Sequence, residues 1–168
     1  MGLYDNILLP TDGSAGTERV IEHAGELARA HDATVHALYV IDATSFTGLP
    51  METSWDGVRQ VLESEGETAL DEAERLLDDD VALETHTVEG TPSTEIVAFA
   101  RDEPIDLVVM GTHGRGGIDR LLLGSVAERV VRGSPVPVTT VRVSDTDVDP
   151  DESSDATEGE SVEASVDG

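Results

Sequence analysis

Short apolar segments alternate along the chain with longer segments in which apolar residues recur every three or four positions. The first long segment places Val20, Ile21, Ala24 and Ala28 on one stripe of a helix. The same periodicity predicts four helices, over 17–31, over 55–78, after Thr91-Pro92-Ser93, and from Ser125 onward. The short apolar segments have the length and composition of strands and cover 4–10, 34–41, 82–88, 105–110 and 136–143.

This regular alternation of strand and helix predicts an α/β fold. We expect a doubly wound, Rossmann-like sheet of five parallel strands with helices on both faces. In such sheets a ligand binds beyond the carboxyl ends of the strands, where the winding direction reverses. The loops after Leu9, Ile41 and Met110 are therefore the places to look for a site.

One of these loops is rich in glycine. The segment from Gly111 to Ser125 reads GTHGRGGIDRLLLGS and leads from a predicted strand into a predicted helix. Glycine lets backbone N–H groups approach an anion closely, and the free N–H groups at a helix start favour phosphate. We expect Ser125 to act both as helix cap and as phosphate donor, with Arg115 supplying a cation.

The glycine pattern differs from two common nucleotide-binding motifs. A Walker A loop requires lysine, which the chain lacks, and Asp119 stands where a dinucleotide motif needs its third glycine. The segment resembles instead the ATP-binding signature of the universal stress protein family. That resemblance extends to GSVAERVVR at 124–132, PVPV at 135–138 and ILLPTDGS at 7–14.

The resemblance implies a nucleotide site, a role and an assembly. It implies a stress-response regulator or sensor that binds ATP, with Mg²⁺ or Mn²⁺ held mainly by the phosphates, and a homodimer formed through Val136 to Val143. The residues implied at the base and ribose are Pro10, Thr11, Asp12, Val40, Met110 and Gly111. Those implied at the phosphates are Gly114, Arg115, Gly124, Ser125 and Val126.

Several residues have a simpler structural interpretation. For Asp12 the resemblance favours a ligand role over the alternative, an Asx turn residue beside Gly13. His113 has no catalytic partner in the sequence and is interpreted as a structural residue. The remaining histidines, His23, His31, His36 and His86, are too scattered to predict a metal site, and Asp78-Asp79-Asp80 is predicted to be a solvated helix end.

Three functions stay open at this point. The first is a nucleotide-binding sensor. The second is a slow ATP-hydrolysing or nucleotidyl-transferring enzyme, which would need a base near the phosphates, and the third is a dimerising protein without nucleotide. Asp12, His113 and Asp119 are the only candidate bases near the glycine-rich segment.

Charge and composition narrow the partners further. The net charge is −26, with 36 acidic residues, 10 basic residues and no cysteine, which argues against nucleic acid, anionic membranes and thiolate metal sites. Acidic residues throughout the chain indicate adaptation to high salt, where their mutual repulsion is screened. Residues 144–168 hold 10 acidic and no basic residues and are expected to be a disordered tail behind a single domain, 1–143. Without a signal peptide or a spanning segment, we expect a soluble, cytoplasmic protein.

Overall fold

The predicted α/β alternation is observed in a computed structural model, which describes residues 2–14, 16–42, 55–112 and 123–143. The strands are β1 (Asn6–Pro10), β2 (Thr34–Ile41), β3 (Leu83–Glu89), β4 (Leu107–Gly111) and β5 (Val138–Val141). The helices are α1 (Thr17–His31), α2 (Trp55–Leu76), α3 (Pro92–Asp102) and α4 (Ser125–Gly133). The residues expected to form the acidic tail lie outside the described part of the chain.

The five strands form one parallel sheet in the order β3-β2-β1-β4-β5. Successive residues of each strand face opposite sides of the sheet. On β1, Ile7 and Leu9 pack with α1 and α2, whereas Leu8 packs with α3 and α4. Helices therefore cover both faces, and the predicted doubly wound fold is confirmed.

Element ends differ slightly from the sequence prediction, most clearly at β5. The strand begins at Val138 rather than at residue 136 because Pro135 and Pro137 have no N–H to donate. Pro137 still contributes its carbonyl, which accepts a hydrogen bond of 2.9 Å from the Val108 N–H. The prolines thus shorten the strand without detaching the chain from the sheet.

The acidic segment after α2 is exposed, as predicted, but it is not unpartnered. Asp78 and Asp80 are both more than half exposed, and both form ion pairs with Arg29 near the end of α1. An exposed ion pair contributes little to stability in a high-dielectric environment. None of the helices in the described residues is long and apolar enough to cross a membrane.

Candidate functional site

The strand order places the reversal of winding between β1 and β4. Ile7 pairs with Leu107, and Leu8 pairs with Val108. The same register, extended along both strands, places Pro10 opposite Met110. On the other side of β1, Pro10 pairs with Leu38 of β2. The carboxyl ends of these three strands therefore lie side by side, which is where doubly wound folds bind ligands.

The loop after β1 has a defined backbone conformation. The Thr11 N–H donates to the Leu38 carbonyl at 2.9 Å, which continues the pairing of β1 with β2 past Pro10. The Asp12 Oδ1 atom accepts a hydrogen bond of 2.9 Å from the Ser14 N–H, so the predicted Asx turn is present. A carboxylate has several acceptor positions, and the turn is therefore compatible with a ligand role for the same side chain.

Three apolar residues of the predicted site share one cluster. Val40, Met110 and Val126 all belong to the apolar cluster between the sheet and the α3–α4 layer, where Met110 is buried and the other two are partly exposed. They come from β2, β4 and α4, so only the tertiary fold brings them together. Partly exposed apolar side chains at a strand end can form one wall of a ligand site.

The start of α4 differs from the prediction. Gly124, not Ser125, is the N-cap residue, and no side chain caps the helix. Ser125 is the first helical residue and is exposed. The capping role predicted for Ser125 is therefore wrong, because the serine lies one position too far along the chain.

This arrangement gives α4 an N-terminus suited to an anion. The first backbone hydrogen bond of the helix runs from the Glu128 N–H to the Gly124 carbonyl, at 2.9 Å. The N–H groups of Ser125, Val126 and Ala127 consequently have no acceptor within the helix, and they point towards its positive dipole end. Together with the exposed Ser125 hydroxyl, they can receive a phosphate group.

A backbone hydrogen bond joins the two ends of the glycine-rich segment. The Gly124 N–H donates to the Thr112 carbonyl at 2.7 Å, and the Thr112 N–H donates to Val141 of β5 at 2.9 Å. The helix start is thereby held next to the carboxyl end of β4. The predicted phosphate residues Gly114 and Arg115, and the candidate bases His113 and Asp119, lie outside the described residues.

The spacing of the histidines in the sequence predicted no metal site, but two of them, His36 and His86, lie close together in the structure. Pairing of β2 with β3 brings the His36 Nδ1 atom to 3.1 Å from the His86 Nε2 atom. Burial lowers the pKa of His36, while the charge of Glu84 acts in the opposite direction. The sequence signal was weak. Glu84 and His86 are two residues apart and so lie on one face of β3, but Glu84 is 48 residues from His36 in the chain, and only the pairing of β2 with β3 brings them together.

The sequence matches a known family over most of its length. A profile of the universal stress protein family matches residues 3–142. The chain belongs to this family. The resemblance seen in the sequence motifs is thereby confirmed, and the match ends one residue before the predicted boundary of the domain.

Similar proteins of the family come from archaea and bacteria. A curated relative is the universal stress protein MJ0531 of Methanocaldococcus jannaschii, 43% identical over 83% of each chain. The solved structure of MJ0577, from the same organism, is 30% identical with a TM-score of 0.77 and covers 86% of this chain and 99% of that one. A universal stress protein in complex with cAMP is 27% identical with a TM-score of 0.60, over 84% and 98% of the two chains.

Proposed function

We propose that this universal stress protein is a regulator or sensor that binds ATP at the carboxyl ends of β1 and β4. The observation that carries the proposal is the start of α4, where three N–H groups and the Ser125 hydroxyl are held beside β4 at the reversal of winding. The relative in complex with cAMP supports an adenine nucleotide as the ligand.

Each element contributes a different part of the proposed site. Pro10, Thr11, Asp12 and Val40 contact the base and ribose, and Met110 and Gly111 flank the ribose. The phosphates lie at Gly124, Ser125 and Val126, together with Gly114 and Arg115. Release of the bound ligand from the purified, denatured protein, followed by chromatography against ATP, ADP, AMP and cAMP standards, tests the proposal directly.

A divalent cation has a clear electrostatic role at this site. The chain carries a net charge of −26, so at low ionic strength free ATP is repelled at long range. Mg²⁺ or Mn²⁺ bound to the phosphates removes two of the negative charges of the ligand. We therefore infer that the metal enters with the nucleotide and is held mainly by the phosphates.

The Ser125 hydroxyl is expected to strengthen ATP binding through a hydrogen bond to a charged phosphate. We expect Ser125→Ala to weaken ATP binding by about 10-fold to 150-fold, the range that corresponds to losing 1.5 to 3 kcal/mol. Titration calorimetry with Mg²⁺ and ATP measures the change. Ser64→Ala, an exposed serine on α2, is the matched control and should bind ATP as the wild type does. Equal affinity in the two variants would remove Ser125 from the phosphate site.

A slow enzyme on the same fold is the second candidate, for which Asp12, in the loop after β1, is the candidate base that the structure describes. Phosphoryl transfer needs groups that position the nucleophile and neutralise charge, and enzymes commonly use lysine for the latter, which this chain lacks. We expect ATP turnover below about one per minute, against roughly 1 to 100 per second for kinases. Phosphate release at saturating ATP measures it, and Gly124→Val serves as the control for contaminating ATPases. Turnover above about one per second that disappears in the variant would establish an enzyme instead.

We also propose an assembly and an environment for the protein. In the described part of the chain β5 is the terminal strand of the sheet, and we propose residues 136–143 as the homodimer contact. Light scattering over a range of protein concentrations distinguishes dimer from monomer. We further propose a cytoplasmic protein with one domain, 1–143, followed by a disordered tail, and the excess of acidic residues supports its adaptation to salt.

A further inference from the structure

A compact cluster of metal-ligating side chains lies on the α3 side of the sheet. It consists of His36 on β2 and Glu84 and His86 on β3. The His36 Nδ1 atom lies 3.1 Å from the His86 Nε2 atom and 3.4 Å from the Glu84 Oε2 atom. The Glu84 Oε2 and His86 Nε2 atoms are 3.8 Å apart, so one donor atom from each residue forms a compact triangle.

Strand pairing accounts for this arrangement. His36 pairs directly with Glu84 in the register of β2 and β3, and His86 follows Glu84 by two residues on the same strand face. The cluster is four residues from Val40 along β2, which corresponds to about 13 Å of strand. It is therefore separate from the proposed nucleotide site.

The size of the triangle matches the coordination sphere of zinc. Bonds of about 2.0 to 2.1 Å in tetrahedral geometry place neighbouring ligand atoms about 3.3 Å apart. The three separations here are 3.1, 3.4 and 3.8 Å. The point equidistant from the three atoms lies about 2.0 Å from each of them, but in their plane. A tetrahedral ion lies out of that plane, so binding requires the donor atoms to move closer together by a few tenths of an ångström.

A hydrogen bond on the other side of the His36 ring fixes its orientation towards the cluster. The His36 Nε2 atom lies 3.0 Å from the Oδ1 atom of Asn6 on β1. Because an amide oxygen can only accept a hydrogen bond, Nε2 carries the proton and donates it. That tautomer leaves the Nδ1 lone pair directed at the cluster. Histidines that bind metals usually donate their other ring N–H to an oxygen acceptor in this way, which fixes the ring orientation.

Burial and charge complete the environment. The His36 side chain is 10% exposed and the Glu84 side chain 62%, so the cluster is closed on the sheet side and open to solvent beside Glu84. The ring of Phe99 on α3 lies against His86, with ring centroids 4.8 Å apart. The Glu84 carboxylate, 3.4 Å from the His36 Nδ1 atom, supplies negative charge to a divalent cation bound at the cluster.

We propose that His36, Glu84 and His86 bind one divalent transition-metal ion of the zinc type, with the fourth position open to water. Two imidazoles and one carboxylate form a donor set suited to zinc, cobalt and nickel rather than to Mg²⁺ or Ca²⁺, which prefer oxygen ligands. The site would thus take a different metal from the one that enters with the nucleotide.

Cobalt(II) is the probe, because a tetrahedral nitrogen and oxygen site gives a much stronger visible absorption than octahedral cobalt on surface carboxylates. The full-length protein, without a polyhistidine tag, is freed of metal and nucleotide and titrated in excess Mg²⁺. We expect the strong band to saturate at one equivalent of cobalt and to disappear when one equivalent of zinc is added. A weak octahedral spectrum throughout would overturn the proposal and leave the two histidines as a structural hydrogen-bonded pair.

Variants assign the band to these residues. We expect Glu84→Gln and His86→Gln each to weaken cobalt binding at least about 100-fold. Removing a metal ligand should cost more affinity than removing a residue that only hydrogen-bonds to a ligand, which typically costs about 10-fold to 100-fold. Glu84 is exposed, so its substitution leaves the fold intact, and melting followed by circular dichroism verifies this. His23→Gln, on α1 at the opposite face of the sheet, is the matched control and should bind as the wild type does.

Asn6 tests the outer hydrogen bond separately. We expect Asn6→Ala to weaken cobalt binding by about 10-fold to 100-fold, whereas Asn6→Asp keeps an acceptor oxygen and should retain binding. A wild-type band in Glu84→Gln and His86→Gln would place the metal elsewhere and refute the site. Failure of ATP binding in the wild type would leave this metal result unchanged, since the two titrations are independent.

Discussion

Replacing Gly124 by valine is expected to lower ATP affinity at least about 100-fold, because a branched side chain would separate the phosphate from the N–H groups at the start of α4. Losing two hydrogen bonds to a charged group, at 1.5 to 3 kcal/mol each, accounts for a loss of at least about this size. Titration calorimetry with Mg²⁺ and ATP provides the measurement.

The variant should nevertheless fold. Gly124 has φ −59° and ψ 157°, a conformation open to any residue, so its backbone alone does not require glycine. We propose that close approach of the phosphate, rather than the turn, accounts for glycine at this position. Gly124→Ala carries a smaller side chain and should lose less affinity than Gly124→Val. An unchanged ATP affinity in a folded Gly124→Val protein would show that nucleotide does not bind at α4.

Replacing Gly16 by alanine is expected to reduce the free energy of unfolding by about 2 to 5 kcal/mol, for two separate reasons. Gly16 is the N-cap residue of α1 with φ +85°, a left-handed conformation that costs other residues about 1 to 2 kcal/mol. A Cβ atom built there would also overlap Cγ1 of Val143, and such overpacking typically costs about 1 to 3 kcal/mol. Urea unfolding without nucleotide measures the loss.

Gly13→Ala separates the two contributions. Gly13 has φ +71°, yet a Cβ atom there would lie 3.3 Å from the Ala69 Cβ atom, so mainly the backbone cost of about 1 to 2 kcal/mol applies. In the double variant Gly16→Ala and Val143→Ala, the γ carbons are gone and the Val143 Cβ atom, at 3.2 Å, becomes the closest contact. Part of the stability should return. Equal losses for Gly13→Ala and Gly16→Ala would exclude a contribution from Val143.

The sequence by itself determined the elements of the fold. The stripe through Val20, Ile21, Ala24 and Ala28 predicted α1 with the ends that the structure has, because helical periodicity depends on residues only three or four positions apart. The apolar strands and their alternation with helices likewise predicted the parallel sheet. The glycine-rich segment and its flanking motifs also identified the family, since these patterns are continuous in the chain.

Element ends were less well determined where a neighbouring residue controls them. Ser125 has the chemistry of a helix cap, yet Gly124 occupies the cap position because the chain enters α4 one residue earlier, after its hydrogen bond to Thr112. Asp12 could have been a turn residue or a ligand on sequence grounds. The structure shows the turn, and the ligand role remains a prediction.

Only the tertiary structure decided which distant residues meet. The order β3-β2-β1-β4-β5 places the loop after β1 beside β4, and it also brings His36 to Glu84 and His86 across two paired strands. A register of this kind is fixed by which faces of β2 and β3 are buried against the helices, a property of the whole sheet. No local pattern around His36 contains that information, and the histidine cluster therefore became visible only in the folded chain.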